Sequence, residues 1–317
     1  MDAGAGTILS GDVGATNTRL ALSGTDGAAR GRVRRLRNDD FADLPDLLAR
    51  YLAEEGRQAP AAVAVAVAGP VHGGAGRLTN RDWAIAPDAI ARATGAGHVE
   101  VLNDLEAQAW ALDGLAQGAM LPVIAGDAPA DPAATRLVIG VGTGFNTARL
   151  HHMRTGSFVA AAEAGHAALP VDGAGDLALA GFVAGEDGFA AIEDVLSGRG
   201  IEAAFRFVTG RPARAADIAA ALGTDDGEVE AAARLVTRHL GMVAGDLALC
   251  HLPFGGIHLC GGVARALAPH LERLGFEGAF RAKGRLSDFM ARFHVSVVTD
   301  DFAALTGCRA RLLAARE

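Results

Sequence analysis

Apolar positions along the chain keep two rhythms, one of period two and one of period 3.6, broken by glycine-rich turns. Thr7-Ile8-Leu9 leads into a polar glycine turn over 11–18, and Arg19-Leu20-Ala21-Leu22 leads out, which spells strand, turn, strand. Residues 30–37 alternate as a third strand. Phe41, Leu44, Leu47, Leu48 and Leu52 recur at helical spacing, with Asp39 or Asp40 as the expected cap. Residues 61–67 form an uninterrupted apolar strand ended by Gly69-Pro70, and 71–81 reads as glycine-rich loop. Pro87 opens a helix that closes near Gly95, residues 98–102 make another strand, and Asn103-Asp104 opens a helix through Leu112.

This order of three strands, helix, strand, helix, strand, helix then starts again. Residues 137–141, 147–151 and 157–162 supply three strands, with Gly142-Thr143-Gly144 as the first turn. Residues 257–259 (strand), 264–274 (helix), 294–298 (strand) and a helix from Phe302 complete the second copy. The interruption over 170–250 is helical. Its longest helix carries Val229, Ala233, Val236, Leu240, Val243 and Leu247 on one face. A repeated βββαβαβα unit, with a glycine turn in each first hairpin, predicts two α/β domains facing one cleft. The expected boundaries are 1–110 with 303–317 for a small domain, and 111–302 for a large one.

Composition narrows the chemistry. With 317 residues, half of them hydrophobic, the chain is long enough for two cores. A formal net charge of −8 and no basic run argue against nucleic acid as a partner. Lys283 is the only lysine, so a Walker loop or Schiff-base chemistry has nothing to be built on. Cys250, Cys260 and Cys308 show neither zinc spacing nor a disulfide framework and read as free thiols of a reducing compartment. No signal peptide and no membrane span are expected, which predicts a cytoplasmic protein.

Four constellations carry candidate chemistry. In Gly11-Asp12-Val13-Gly14-Ala15-Thr16-Asn17, glycine lets backbone N–H groups approach an anion, Thr16 and Asn17 add donors, and Asp12 suits a hydrated cation. Ordinary hairpin turns use the same residues. Asn103-Asp104 stands where a strand meets a helix; it serves as an Asx cap, as a general base, or as both, with the helix dipole favouring a carboxylate there. Glu163-Ala164-Gly165-His166 and Glu193 are carboxylate and imidazole groups suited to paired sugar hydroxyls; taken alone, His166 also reads as a turn residue and Glu193 as part of a solvated helix face. Gly261-Gly262, between a strand and a helix, leaves a flat surface for adenosine or for close packing.

With these stretches in order, together with Thr79-Asn80-Arg81-Asp82-Trp83, the chain resembles the bacterial glucokinase family of the actin-like sugar kinases, in its non-zinc branch. The resemblance spans nearly the whole chain. It implies two ribonuclease-H-like domains and ATP-dependent phosphorylation of the glucose 6-hydroxyl. Asp104 would be the base, with Asn80, Asn103, Glu163, His166 and Glu193 holding the sugar. Gly11 to Asn17 and Gly142-Thr143-Gly144 would hold the phosphates, Asp12 the hydrated magnesium, and Gly261-Gly262 the adenosine. A homodimer is also implied. The alternatives are another hexose as acceptor, a sugar-binding regulator with a degenerate kinase site, and an acyl-phosphate kinase. Ala15, Asn146 and Ala164 depart from the family's glycines. An alanine costs about 1 kcal/mol at any of these positions that requires a positive φ.

Overall fold

The structure is a computed structural model that describes residues 6–56, 59–78, 81–186 and 188–315. The chain divides into two compact units, one formed by 1–116 with 300–317 and the other by 117–299.

In the first unit, β1 (Thr7–Val13), β2 (Asn17–Gly24) and β3 (Arg34–Arg37) form an antiparallel meander. Helix α1 (Leu44–Glu54) follows, then β4 (Ala62–Val67), which runs parallel to β1. The 71–81 loop expected from the sequence is partly structured. Strands β5 (Val71–His72) and β6 (Ala75–Arg77) make a small hairpin that β7 (Ala84–Ile85) extends. Helix α2 (Pro87–Thr94) closes on left-handed Gly95, and β8 (Val99–Asn103) joins β4 in parallel before α3 (Asp104–Ala111). The sheet order is β3-β2-β1-β4-β8. The expected cap of α1 moves: Asp39 and Asp40 sit in a 3-10 turn, and it is Asp43 that accepts the Asp46 N–H at 2.8 Å.

Alternation along β4 sets the two faces of this sheet. Val63, Val65 and Val67 join Leu44, Leu47, Leu48 and Ile90 in one core under α1 and α2. Ala62, Ala64 and Ala66 face Ala107 of α3 and Ala304, Cys308 and Leu312 of the C-terminal helix, Ala303–Ala314. Small residues are required on that face because the two helices approach closely: a Cβ on Gly307 would stand 1.7 Å from the Ala107 carbonyl oxygen.

The second unit repeats the plan. After β9 (Met120–Ile124), which the sequence reading missed, come β10 (Arg136–Val141), β11 (Phe145–Met153) and β12 (Gly156–Ala161) as an antiparallel meander. The insertion contributes α4 (Ala174–Val183), α5 (Gly198–Thr209), α6 (Ala215–Ala221) and α7 (Gly227–His251). Strand β13 (Ile257–Cys260) pairs in parallel with β10 and leads into α8 (Gly262–Leu267). Helix α9 (Phe276–Arg281) follows, then β14 (Val295–Val298); the last helix, α10 (Ala303–Ala314), belongs to the first unit. The order β12-β11-β10-β13-β14 reproduces that of the first sheet, with β9 added antiparallel at the edge. Val229, Ala233, Val236, Leu240 and Val243 of α7 are buried as their spacing predicts, and Leu247 is half-buried.

Candidate active site

Parallel register brings the chemistry of the first unit to one edge of its sheet. Val13 is level with Val67, and Val67 with Asn103, so β1, β4 and β8 end on one line. Two strand spacings, about 10 Å, separate the outer ends of that line. Beyond it lie the Gly14-Ala15-Thr16 turn, Ala68-Gly69 and Asp104. Loops at the carboxyl ends of parallel strands are where open α/β sheets place their ligands.

The turn after β1 is held from behind. Gly14 N–H donates to the Asn17 carbonyl at 3.0 Å. Asn38, which is fully buried, donates through Nδ2 to the carbonyls of Gly14 (2.8 Å) and Ala15 (3.1 Å), and through its backbone N–H to that of Thr16 (2.9 Å). Nothing in the local sequence marks Asn38, because its partners lie some twenty positions upstream. Gly11 and Val13 are buried within β1; a Cβ on Gly11 would come within 3.0 Å of the Val65 side chain. Gly11 therefore answers first to sheet packing. Ala15 does not need glycine either, since among the described residues only Ala59 and Leu252 combine a side chain with a positive φ. The same holds for Asn146 and Ala164.

Asp12, half-buried at the end of β1, meets Arg19 Nη1 at 3.2 Å, and Arg19 also reaches the Asp301 carbonyl at 3.2 Å. Burial pushes the Asp12 carboxyl above its ordinary range, against the pull of Arg19. Such a group gains from a further cation. No cluster of three or more His, Cys, Asp or Glu that could hold a metal exists among the described residues. A lone carboxylate fits an ion that keeps several waters and takes its other ligands from phosphates, as Mg2+ does.

Asn103 is the N-cap of α3. Its Oδ1 accepts the Leu105 N–H at 2.9 Å, its N–H donates to Glu106 Oε2 at 2.9 Å, and its Nδ2 donates to the Gly69 carbonyl at 3.1 Å. This closed capping box fixes where Asp104 starts the helix. Asp104 Oδ1 also accepts from Leu105 N at 2.9 Å, which orients the carboxylate at the strand edge. Thr79 and Asn80 lie outside the described residues.

In the second unit, the two glycine stretches come together. Gly261 has φ +98°, and a Cβ there would stand 2.4 Å from the Val141 carbonyl oxygen and 3.2 Å from Gly142 N. The Gly142-Thr143-Gly144 turn is closed by Gly142 N–H to the Gly144 carbonyl (2.9 Å) and is tied to α5 by Gly198 N–H to the Gly142 carbonyl (2.8 Å). Glu193 lies directly against it. Its Oε2 accepts the Phe145 N–H at 3.2 Å, and its Oε1 accepts from Arg199 Nη2 at 2.7 Å. A Cβ on Gly144 would be 2.6 Å from Glu193 Oε2, and one on Gly165 would be 2.1 Å from the Phe145 carbonyl oxygen. Asn146, expected only as a departure, is a junction: its Oδ1 accepts from Thr147 N and Ala164 N, and its Nδ2 donates to Glu163 Oε2 at 3.1 Å. The structure therefore brings Glu163, Gly165 and Glu193 together around the glycine turn, with exposed His166 at the end of a 3-10 turn, Ala164–His166.

The chain as a whole has relatives among known proteins. The glucokinase family profile matches residues 9–315. The chain belongs to the glucokinase family. The glucokinase of Chelativorans sp. (strain BNC1) is 33% identical over 310 residues, covering 96% of this chain and 90% of the relative. That of Sinorhizobium medicae (strain WSM419) is 33% identical over 314 residues, covering 96% and 91%. Among solved structures, the glucokinase from an Antarctic psychrotroph has 30% identity and a TM-score of 0.85, covering 96% of this chain and 98% of that one. The ROK hexokinase from Thermus thermophilus, at 18% identity, shares the fold with a TM-score of 0.69 over 98% of this chain and 100% of that one. The fold of this glucokinase family member is thus that of the actin-like sugar kinases, and it is a hexokinase-type sugar kinase.

Proposed function

We propose that the protein transfers the γ-phosphoryl group of ATP to the 6-hydroxyl of glucose, with Asp104 accepting the hydroxyl proton. The observation that carries this reading is the position of Asp104: a half-buried carboxylate opening α3 at the same strand edge as the Gly14–Thr16 turn. Phosphoryl transfer asks for positioning and charge neutralisation more than covalent help, and the chain offers both without a catalytic lysine.

Each remaining residue takes a role by its chemistry. The amides of Ala15 and Thr16 and those of Thr143 and Gly144 suit phosphate oxygens, with the Gly14 and Gly142 N–H groups closing the two turns, and the Gly261-Gly262 surface suits adenosine. Asn80, Asn103, Glu163, His166 and Glu193 are assigned to the sugar hydroxyls. Asp12 would reach Mg2+ through water; when bound, the ion supplies neutralisation of charge on the phosphates. The free thiols Cys250, Cys260 and Cys308 fit a cytoplasmic enzyme. Exposed Leu177, Phe182, Phe189 and Val208 on the helical insertion fit a homodimer.

The test is a coupled assay of hexoses against phosphoryl donors with Mg2+ present. Turnover is expected with ATP and glucose. Turnover only with another sugar would move the assignment to a different hexokinase. Sugar binding with no nucleotide binding would make the protein a regulator.

A further inference from the structure

We propose that Asn38 is a positioning residue for nucleotide binding: its side chain and backbone hold the carbonyls of Gly14, Ala15 and Thr16 so that the N–H groups of the turn face a phosphate. The inference rests on the function proposed above and goes beyond it, since Asn38 lies outside every stretch assigned to the ligand.

Asn38 follows β3 and is fully buried; four of its hydrogen bonds go to the segment Gly14–Thr18, and its carbonyl accepts the Phe41 N–H at 3.2 Å. The orientation of its amide is fixed by chemistry. The two atoms within reach of Nδ2 are carbonyl oxygens, at 2.8 and 3.1 Å, and a carbonyl can only accept. The other end of the amide is therefore Oδ1, which takes the Thr18 hydroxyl at 2.8 Å.

The consequence for the turn follows from peptide geometry. In a planar trans peptide the C=O and the next N–H point in opposite directions. With the Gly14 and Ala15 carbonyls drawn toward Asn38, the N–H groups of Ala15 and Thr16 are turned away from it. Among the described residues neither N–H meets a protein acceptor. Two adjacent outward amides with no side-chain bulk at residue 14 form an anion-binding concavity. Water serves these partly exposed amides until a ligand replaces it, and without Asn38 the peptides are free to rotate and find other partners. Thr18 belongs to the same device, because its hydroxyl keeps the amide from turning over.

The test compares wild type, Asn38→Ala, Asn38→Asp and Thr18→Val by calorimetric titration with MgATP and, separately, with glucose, beside steady-state KM values for each substrate. Asn38→Asp retains the acceptor for Thr18 and replaces both donors with a repelling oxygen. Loss of these bonds is expected to weaken MgATP binding roughly tenfold or more, with KM for ATP rising in parallel. Glucose affinity is expected to stay at the wild-type value. Thr18→Val, which keeps the side-chain shape and removes one hydrogen bond, is expected to weaken MgATP alone by about threefold, and it decides the matter if the Asn38 variants do not fold. Equal loss of both ligands, or unchanged MgATP affinity in a folded variant, would overturn the proposal. A wild-type protein that does not bind MgATP would overturn the kinase reading and this proposal together, whereas unchanged variants of a competent wild type would overturn this one alone.

Discussion

Gly261 shows how one residue can carry two demands. Its φ of +98° disfavours any side chain, and a Cβ would stand 2.4 Å from the Val141 carbonyl oxygen. Strain and overpacking together are expected to cost Gly261→Ala about 2 kcal/mol or more. A thermal midpoint lowered by roughly 5 °C would register this; an unchanged midpoint with unchanged KM for ATP would remove both roles. Asn103 is different: its Oδ1 caps α3, and its Nδ2, which donates one N–H to the Gly69 carbonyl, carries a second N–H for the proposed contact with sugar. The Asx cap is Asn103, which closes its box with Glu106, and the proposed base Asp104 is the residue beside it. Asn38 left no trace in the sequence because a buried amide is recognised by its partners, and those come from another strand.

At the scale of elements, the valines of β4 and the apolar face of α7 were legible because burial on a regular lattice leaves a regular pattern. Strands β5, β6 and β7 escaped because two or three residues carry no periodicity. Strand β9 escaped because Pro122 interrupts it, a residue tolerated there since β9 is an edge strand. The breakdown of α8 after Leu267, where the sequence predicts helix to Leu274, coincides with Pro269 in the next turn. Strand β13 carries a pH-sensitive element of the fold. Its buried His258, with Nδ1 2.9 Å from Ser296 Oγ, has its pKa pushed down to about 4, first by burial and then by the nearby Arg136 charge. An unfolded imidazole titrates near 6.5, so between these values the unfolded chain binds more protons. Stability from this residue is complete above about pH 6.5 and is lost as pH falls toward 4, by up to about 3 kcal/mol. Urea unfolding at pH 7.5, 6 and 5 should show a shallower pH dependence for His258→Gln than for wild type. Equal slopes would contradict the assignment.

Over the whole molecule, the duplication was the most legible feature. Two sheets with the same 3-2-1-4-5 strand order arise from two stretches that share little beyond strand order and a glycine turn. The helical insertion was legible as helices, but its exposed apolar residues become visible only in three dimensions. The proposed metal requirement belongs to this scale, because one lone carboxylate with phosphate oxygens would have to hold the ion. Removing Mg2+ with EDTA is expected to abolish turnover while leaving glucose binding unchanged by calorimetry. Metal-independent turnover would exclude the proposed part of Asp12.

The central claim is that Asp104 takes the proton from the sugar hydroxyl. Its most direct test is the kcat of Asp104→Asn with saturating MgATP and glucose, beside glucose affinity measured without nucleotide. A fall in kcat of about 10²- to 10⁴-fold is expected, with glucose affinity largely retained. Turnover at the wild-type rate in that variant would contradict the account.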